Sequence, residues 1–125
     1  MTIEIAQSFR FEAAHFLPNV PPQHRCRRVH GHSYKVDVVV TGPVDPQSGW
    51  VIDFYDIEAV FAPVLETLDH HLLNEIPGLE NPTAEHIAIY VLTRLQGTLP
   101  GVVSVTVHET EHSRATARVS SDPPA

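Results

Sequence analysis

The chain has 125 residues, of which 42% are hydrophobic, and this length suits a single domain with one modest core. Eight basic and fifteen acidic residues give a net charge of −7, which argues against a general binder of nucleic acids or anionic membranes. No stretch approaches the roughly 20 apolar residues of a membrane span, the start has no basic region followed by an apolar run, and the single cysteine suits a reducing compartment. We therefore expect a soluble, cytoplasmic protein in which local basic residues meet any phosphate-bearing ligand.

Two alternating segments near the start predict a pair of strands. Residues 3–16 place apolar side chains on one face, which ends at His15, and a proline-rich loop that carries Cys26 follows. Alternation then resumes, so that His30 and His32 share one face of a second strand. If the two strands pair antiparallel, His15 lies near the other two histidines. Three imidazoles on one face, with water in the fourth position, predict an open, catalytic zinc site.

The middle of the chain predicts two helices, and its end predicts a hairpin. Apolar residues recur at helical spacing over 57–68, with Asp53 or Asp56 as N-cap, and Pro63 should kink or interrupt this helix. Thr83 marks the start of a second helix that ends near residue 97. Segments 102–109 and 114–119 predict two more strands. The order ββααββ predicts an α+β domain over residues 1–119, followed by a disordered tail at 120–125.

The loop that carries Cys26 also places Arg25, Arg27 and Arg28 beside it. A lone cysteine in a small domain is most often a buried hydrophobe. Positive neighbours, however, favour the thiolate, which is the reactive form of the side chain. The arginines themselves are equally consistent with a solvated charge run.

A carboxylate stands at the end of an otherwise apolar row in the third predicted strand, where Glu109 follows Val103, Val105 and Val107. A buried carboxylate needs partners, because desolvation without them costs several kcal/mol. The N–H groups of a nitrogen heterocycle would satisfy Glu109. The alternative is that Glu109 merely caps the edge of the sheet.

An acidic residue and two histidines follow the first predicted helix at Asp69-His70-His71. Histidines are favoured at a helix C-terminus by the helix dipole, so they could be ordinary residues of a helix end. Asp69 beside them favours an oriented acid–base pair, since a carboxylate can orient and stabilise an imidazolium. Periodicity leaves open which of the two histidines faces the site.

Six stretches, taken in order, carry a family resemblance. They are Phe11-Glu12-Ala13-Ala14-His15, Cys26-x-x-x-His30-Gly31-His32, Thr41-Gly42 through Gly49-Trp50-Val51-Ile52-Asp53-Phe54, Leu68-Asp69-His70-His71-Leu72-Leu73-Asn74, Asn81-Pro82-Thr83-Ala84-Glu85 and Glu109-Thr110. Over nearly its whole length the chain resembles the 6-pyruvoyltetrahydropterin synthase family, especially its bacterial branch of 6-carboxy-5,6,7,8-tetrahydropterin synthases. The three-residue gap between Cys26 and His30 is similar to that of the carboxytetrahydropterin branch. The chain departs from the family at Ala117, where a tyrosine is usual, and at residues 111–114.

The resemblance implies a tunnelling fold (T-fold), in which two helices pack on a four-stranded antiparallel sheet and three subunits join their sheets into a barrel. Two such trimers commonly stack as a hexamer, and the unpaired edges of a small sheet independently favour a homo-oligomer. The implied substrate is 7,8-dihydroneopterin triphosphate. The implied products are 6-carboxytetrahydropterin, acetaldehyde and triphosphate, on the route to queuosine and other deazapurines.

The resemblance also implies roles for individual residues. Cys26 would be the proton-abstracting base, while Asp69 and His70 would form an acid–base relay opposite it. Glu109 would anchor the pterin ring and take part in the relay, and Thr83 would contact the pterin too. Zinc would be bound by His15, His30 and His32. The resemblance assigns no residue to the triphosphate, and the local basic residues Arg25, Arg27, Arg28 or His24 are the candidates for that role.

Two alternative functions stay open on the sequence. One is a pyruvoyl-type lyase with the same substrate, which would release no acetaldehyde. The other is a non-catalytic zinc-binding or pterin-binding module, which Cys26 speaks against because a pure binder needs no reactive thiol.

Overall fold

Four antiparallel strands and two α-helices form the computed structural model, which describes residues 1–120. The strands lie in the spatial order β1-β2-β3-β4, so every strand pairs with its neighbour in sequence. This architecture confirms the predicted α+β class and the order ββααββ. The tail predicted at 120–125 lies outside the described residues, except for Ser120. The elements are β1 Ile3–His15, β2 His30–Gly42, α1 Phe54–Leu68, α2 Ala84–Gln96, β3 Val102–His108 and β4 Arg114–Arg118, with short 3-10 turns at Arg25–Arg27 and Leu73–Glu75.

The long β1–β2 pair aligns the two strands over their whole length, from Ile3 opposite Gly42 to His15 opposite His30. Burial alternates along both strands, because successive side chains point to opposite faces of a sheet. The buried face of the strand pair carries the core. At the end of the pair where His15 lies opposite His30, this face consists of histidines. The register thus places the predicted ligands at one end of the sheet.

Both helices pack on the same face of the sheet. In α1, Phe61 is fully buried and stacks on Phe9 of β1 at a ring-centroid distance of 4.0 Å. The carboxylate of Asp53 caps α1 by accepting the Tyr55 N–H. The helix continues through Pro63 without interruption, so the alternative of a break at this residue is wrong. None of the helices within residues 1–120 is long and apolar enough to cross a membrane.

A β-bulge changes the face on which one predicted core residue lies. Val40 pairs with Val102 while Val39 pairs with Ser104, so Val103 is an extra residue on β3. The prediction that Val103 belongs to the buried row is therefore wrong, since Val102 occupies that place and Val103 is only half-buried. Glu109 lies just beyond the last residue of β3 and begins the turn to β4.

Candidate active site

Three histidines converge at the end of the β1–β2 pair. His15 lies directly opposite His30, and Ala13, two residues earlier on the same face, lies opposite His32. One ring nitrogen from each histidine lies within 4.8 Å of those of the other two. The ring centroids of His15 and His30 are 4.6 Å apart, and those of His30 and His32 are 5.0 Å apart. The three side chains can therefore direct their nitrogens at one point.

Backbone carbonyls orient two of these rings. His15 Nδ1 lies 2.8 Å from the Pro82 carbonyl oxygen, and His30 Nδ1 lies 2.7 Å from the Arg28 carbonyl oxygen. A carbonyl can only accept, so in both histidines Nδ1 carries the hydrogen and Nε2 keeps a lone pair. The Tyr34 hydroxyl lies 3.3 Å from the same nitrogen of His15. Orientation of this kind is typical of histidines that bind a metal.

The chemistry of the cluster fits a metal ion. Within residues 1–120, Nε2 of His15 and Nε2 of His32 are buried and have no hydrogen-bond partner. Such nitrogens are rare, because leaving a buried polar atom unsatisfied costs about 1–3 kcal/mol. Burial is the largest influence on the pKa of both side chains, and it lowers the pKa below its ordinary value. Both imidazoles are therefore neutral at neutral pH, which is the form that binds a metal.

Glu109 faces the histidine cluster. Its Oε1 lies 3.5 Å from His15 Nε2 and 3.8 Å from His32 Nε2, and its side chain is 28% exposed to solvent. The alternative that Glu109 only caps the sheet edge does not describe this placement. Burial raises the pKa of the neighbouring Tyr34 far above its ordinary value, and the Glu109 carboxylate raises it further. Tyr34 is thus a neutral hydroxyl at the base of the site.

Cys26 and Glu109 line one cavity of about 440 Å³. Cys26 lies on the 3-10 turn after the proline-rich loop, and its carbonyl accepts the Leu17 N–H at 2.8 Å, which ties the turn to the end of β1. This tie brings the half-buried thiol to the same cavity as two of the histidines. The other residues that line the cavity are Arg25, His30, His32, Thr110 and Ser113.

The loop uses two of the predicted phosphate ligands for its own structure. His24 Nδ1 accepts the Cys26 N–H at 3.0 Å, and the Arg27 guanidinium donates to the Val20 carbonyl at 2.8 Å. Of the four candidates, Arg25 alone is among the residues that line the cavity of Cys26.

Asp69 and His70 form an ordered pair at the end of α1. Asp69 Oδ1 accepts the Glu12 N–H at 2.9 Å, and Oδ2 lies 2.9 Å from His70 Nδ1. These hydrogen bonds, that of Glu12 first, lower the pKa of Asp69 below its ordinary value. His70 has φ +59°, a conformation that costs a non-glycine residue about 1 kcal/mol or more. The His71 ring lies against the Asp69 backbone carbonyl, at 2.8 Å from Nδ1, so His70 is the histidine that pairs with the Asp69 carboxylate.

The structure does not bring this pair to Cys26. His70 lines a second cavity of about 520 Å³, together with Glu12 and Ser33, and Cys26 is not among its lining residues. His32 borders both cavities. Within one chain, Cys26 and His70 therefore line different cavities, and His32 is the residue that the two linings share.

Thr83 has a structural place in the fold. Its hydroxyl accepts the His86 N–H at 3.1 Å and caps α2, and it is not among the residues that line either cavity. Its neighbour Pro82 supplies the carbonyl that orients His15, a contact that sequence reasoning missed. A backbone carbonyl carries no residue-type signal, so nothing in the sequence could have indicated this contact, whereas the position of Tyr34 on the face of His32 follows from the alternation of β2.

The fold and the site together define a class of protein, namely a small α+β protein with a metal-capable histidine cluster between two cavities. The sequence pattern of the 6-pyruvoyl tetrahydropterin synthase family matches residues 4–120, and the chain belongs to this family. It is accordingly an enzyme of the tetrahydropterin synthase type, a lyase.

Relatives and solved structures support this assignment. The chain is 40% identical over 117 residues to 6-carboxy-5,6,7,8-tetrahydropterin synthase of Synechocystis, with 89% of each chain covered. It is 34% identical over 105 residues to dihydroneopterin monophosphate aldolase of Pyrococcus furiosus, with 84% of this chain and 85% of the relative covered. The structure of Caenorhabditis elegans 6-pyruvoyl tetrahydropterin synthase matches with a TM-score of 0.88 at 27% identity, covering 96% of this chain and 97% of that one.

Proposed function

We propose that the protein is a zinc-dependent 6-carboxy-5,6,7,8-tetrahydropterin synthase. In this proposal it converts 7,8-dihydroneopterin triphosphate and one water to 6-carboxy-5,6,7,8-tetrahydropterin, acetaldehyde and triphosphate, in the biosynthesis of queuosine and related 7-deazapurines. The observation that carries the proposal is the convergence of three histidine nitrogens beside a cavity that Cys26 and Glu109 also line. The Synechocystis relative bears the name of this activity. The lone thiol, Cys26, suits the reducing cytoplasm as the place of action.

His15, His30 and His32 are the proposed metal ligands. Three neutral imidazoles with an open fourth position are a common catalytic zinc set. When bound, zinc would supply Lewis acidity toward the hydroxyl groups of the substrate side chain. The carbonyls of Pro82 and Arg28 hold two of the rings in the orientation that this requires.

The other residues of the cavity have separate tasks. Cys26, as thiolate, takes a proton from the substrate side chain, which its exposure to the cavity permits. Glu109 accepts hydrogen bonds from the ring N–H groups of the pterin and thereby anchors it next to the histidines. The oriented Asp69–His70 pair moves a second proton, with the carboxylate holding the imidazole in position.

A neighbouring chain would complete this arrangement. Cys26 and His70 line different cavities in one chain, and a second copy that brings its His70 to the cavity of Cys26 would let both act on the same substrate. Among the described residues, β4 and the part of β1 before Glu12 pair with no further strand on their outer edges, which favours association through the sheet, whereas Glu12 and Ala14 bond to the segment after α1. Trp50 and Tyr55 are also exposed, at 51% and 78%. A homotrimer, or a dimer of trimers, is the proposed assembly.

Product identification tests the proposal. Purified protein loaded with zinc is incubated with 7,8-dihydroneopterin triphosphate, and the pterin and any aldehyde are identified by mass spectrometry. Acetaldehyde together with 6-carboxytetrahydropterin is the expected result. Triphosphate release without acetaldehyde would instead support the pyruvoyl-type reaction, which the likeness to the Caenorhabditis elegans structure favours as second candidate. If no new pterin forms, the result would support the alternative of a non-catalytic zinc-binding or pterin-binding module.

The number of phosphates on the substrate needs its own comparison. The Pyrococcus relative is named for a dihydroneopterin monophosphate, so the same incubation is run with that compound. A higher kcat/KM for the triphosphate is the expected result, and a preference for the monophosphate would contradict the proposed substrate.

A further inference from the structure

A row of basic residues crosses all four strands on the sheet face that points away from the helices. Arg10 of β1 lies opposite Lys35 of β2, Lys35 lies opposite His108 of β3, and His108 lies opposite Arg114 of β4. Directly opposed residues point to the same face, and strands are about 4.8 Å apart, so the row extends over about 14 Å. We call these four residues the cationic row.

The cationic row is costly without a counter-charge. Like charges directly opposite each other destabilise a sheet. Among residues 1–120, no carboxylate oxygen lies within ion-pairing distance of Arg10, Lys35 or Arg114. Two acidic side chains of the sheet lie on the same face, two residues from a member of the row. Asp37 already accepts hydrogen bonds from Ser8 and His108, and Glu12 accepts one from Ser33. Three of the eight Lys and Arg residues of a chain with net charge −7 thus lie in this row, with His108 between Lys35 and Arg114.

The row lines a cavity of about 360 Å³ that also contains the hydroxyls of Ser33 and Thr110, together with one carboxylate, Glu111. Thr110 also lines the cavity of Cys26, and Ser33 also lines the cavity of His70. The basic cavity thus adjoins the cavity of Cys26 at Thr110 and the cavity of His70 at Ser33. Guanidinium, ammonium and hydroxyl groups together are the donors that bind phosphate oxygens.

We propose that the cationic row is the subsite that receives the phosphate groups of the substrate. The proposal rests on the proposed function, because it assumes a pterin anchored at Glu109 with its phosphorylated side chain extending past Thr110. It replaces the assignment of the phosphates to Arg25, Arg27, Arg28 or His24. Two of those four, His24 and Arg27, are engaged within their own loop.

Inorganic triphosphate is the probe for this subsite, because its binding requires neither turnover nor a pterin. Its affinity for the zinc-loaded protein is measured by calorimetry for the wild type and for Lys35→Gln and Arg114→Gln. The matched control is Arg118→Gln, which removes the same charge from the same face of β4. Arg118 lies opposite Ser104, about 13 Å along the strand from Arg114. Circular dichroism checks that every variant is folded.

We expect each row variant to bind inorganic triphosphate about tenfold or more weakly than the wild type, as for the loss of a charge-assisted hydrogen bond. Arg118→Gln should bind it as the wild type does. Unchanged affinity in the row variants, an equal loss in Arg118→Gln, or a wild type that does not bind the anion would each overturn the subsite. A loss found in Arg25→Gln instead would return the phosphates to the loop.

Steady-state kinetics separate this subsite from the proposed function. If the row variants raise KM for 7,8-dihydroneopterin triphosphate while unphosphorylated neopterin binds as before, the subsite and the function both stand. If the wild type binds inorganic triphosphate through the row but does not turn over the pterin, the proposed function fails and the anion site stands. If turnover is normal in the row variants, the function stands and the subsite fails.

Discussion

Mixing two inactive variants tests whether the active site is shared between chains. In one chain, Cys26 lines one cavity and His70 lines another. Because each residue is a proposed acid–base group, Cys26→Ala and His70→Ala should each lower turnover about 10²-fold or more when assayed alone. If a site takes Cys26 from one copy and His70 from its neighbour, mixed oligomers contain some sites in which both residues are intact.

The recovered activity follows from counting chains. In an equimolar random mixture, half of the chains supply an intact Cys26 and half of the neighbours supply an intact His70. About a quarter of the sites are then complete, and activity should return to about a quarter of the wild-type value. The two variants are co-refolded in equal amounts, and the whole mixture is assayed for pterin product against the same amount of wild-type chain.

The control pairs two residues that line the same cavity. Cys26→Ala is mixed in the same way with Glu109→Gln, and because both side chains belong to the cavity of one chain, this mixture should stay inactive. A mixture of Cys26→Ala and His70→Ala that is no more active than either variant alone would refute the shared site. If activity also returns in the control mixture, Cys26 and Glu109 of one chain do not act in the same active site.

Three further predictions concern single variants. The wild type should bind about one zinc ion per chain, and His30→Ala should lose most of it. His86→Ala, which changes a histidine outside the cluster, should keep its zinc. Metal analysis measures both, and full retention of zinc in His30→Ala would refute the ligand set. Cys26→Ala should keep its zinc and its affinity for the pterin, while kcat falls about 10²-fold. Near-normal turnover in this variant would show that another residue is the proton-abstracting base. Burial acts to raise the pKa of Asp37, but hydrogen bonds hold this pKa below its ordinary value. The charged carboxylate therefore stabilises the fold above a pH of about 4, the ordinary carboxyl pKa. This contribution is lost as the pH falls through the pKa of the folded state. Wild-type unfolding free energy should therefore exceed that of Asp37→Asn near neutrality and approach it in acid, and a difference that does not shrink would contradict this.

Much of the fold follows from local sequence patterns. Alternation along residues 3–16 and 30–40 specifies which side chains face the core, because a strand has a period of two. Thr83 is an N-cap as predicted, and of the two candidates Asp53 and Asp56 it is Asp53 that caps α1, since a side-chain oxygen beside the first turn satisfies N–H groups that the helix itself cannot. The approach of His15 to His30 follows from the same alternation plus a single assumption of antiparallel pairing.

Other features depend on contacts between distant parts of the chain, and only the tertiary structure decides them. The bulge that moves Val103 out of the buried row reflects how β3 fits against β2, about sixty residues away in sequence. The separation of Cys26 from the Asp69–His70 pair depends on where two loops attach to the end of β1, at Leu17 and at Glu12.

The cationic row shows the same division. Each of its members is an ordinary polar residue on the outer face of its own strand, and nothing in the local pattern distinguishes Arg114 from Arg118. The register across three strand pairs places Arg10, Lys35 and Arg114 in one line. A period of two determines the face on which a side chain lies, but its neighbours on that face are determined by strand pairing, which the packing of the whole sheet specifies.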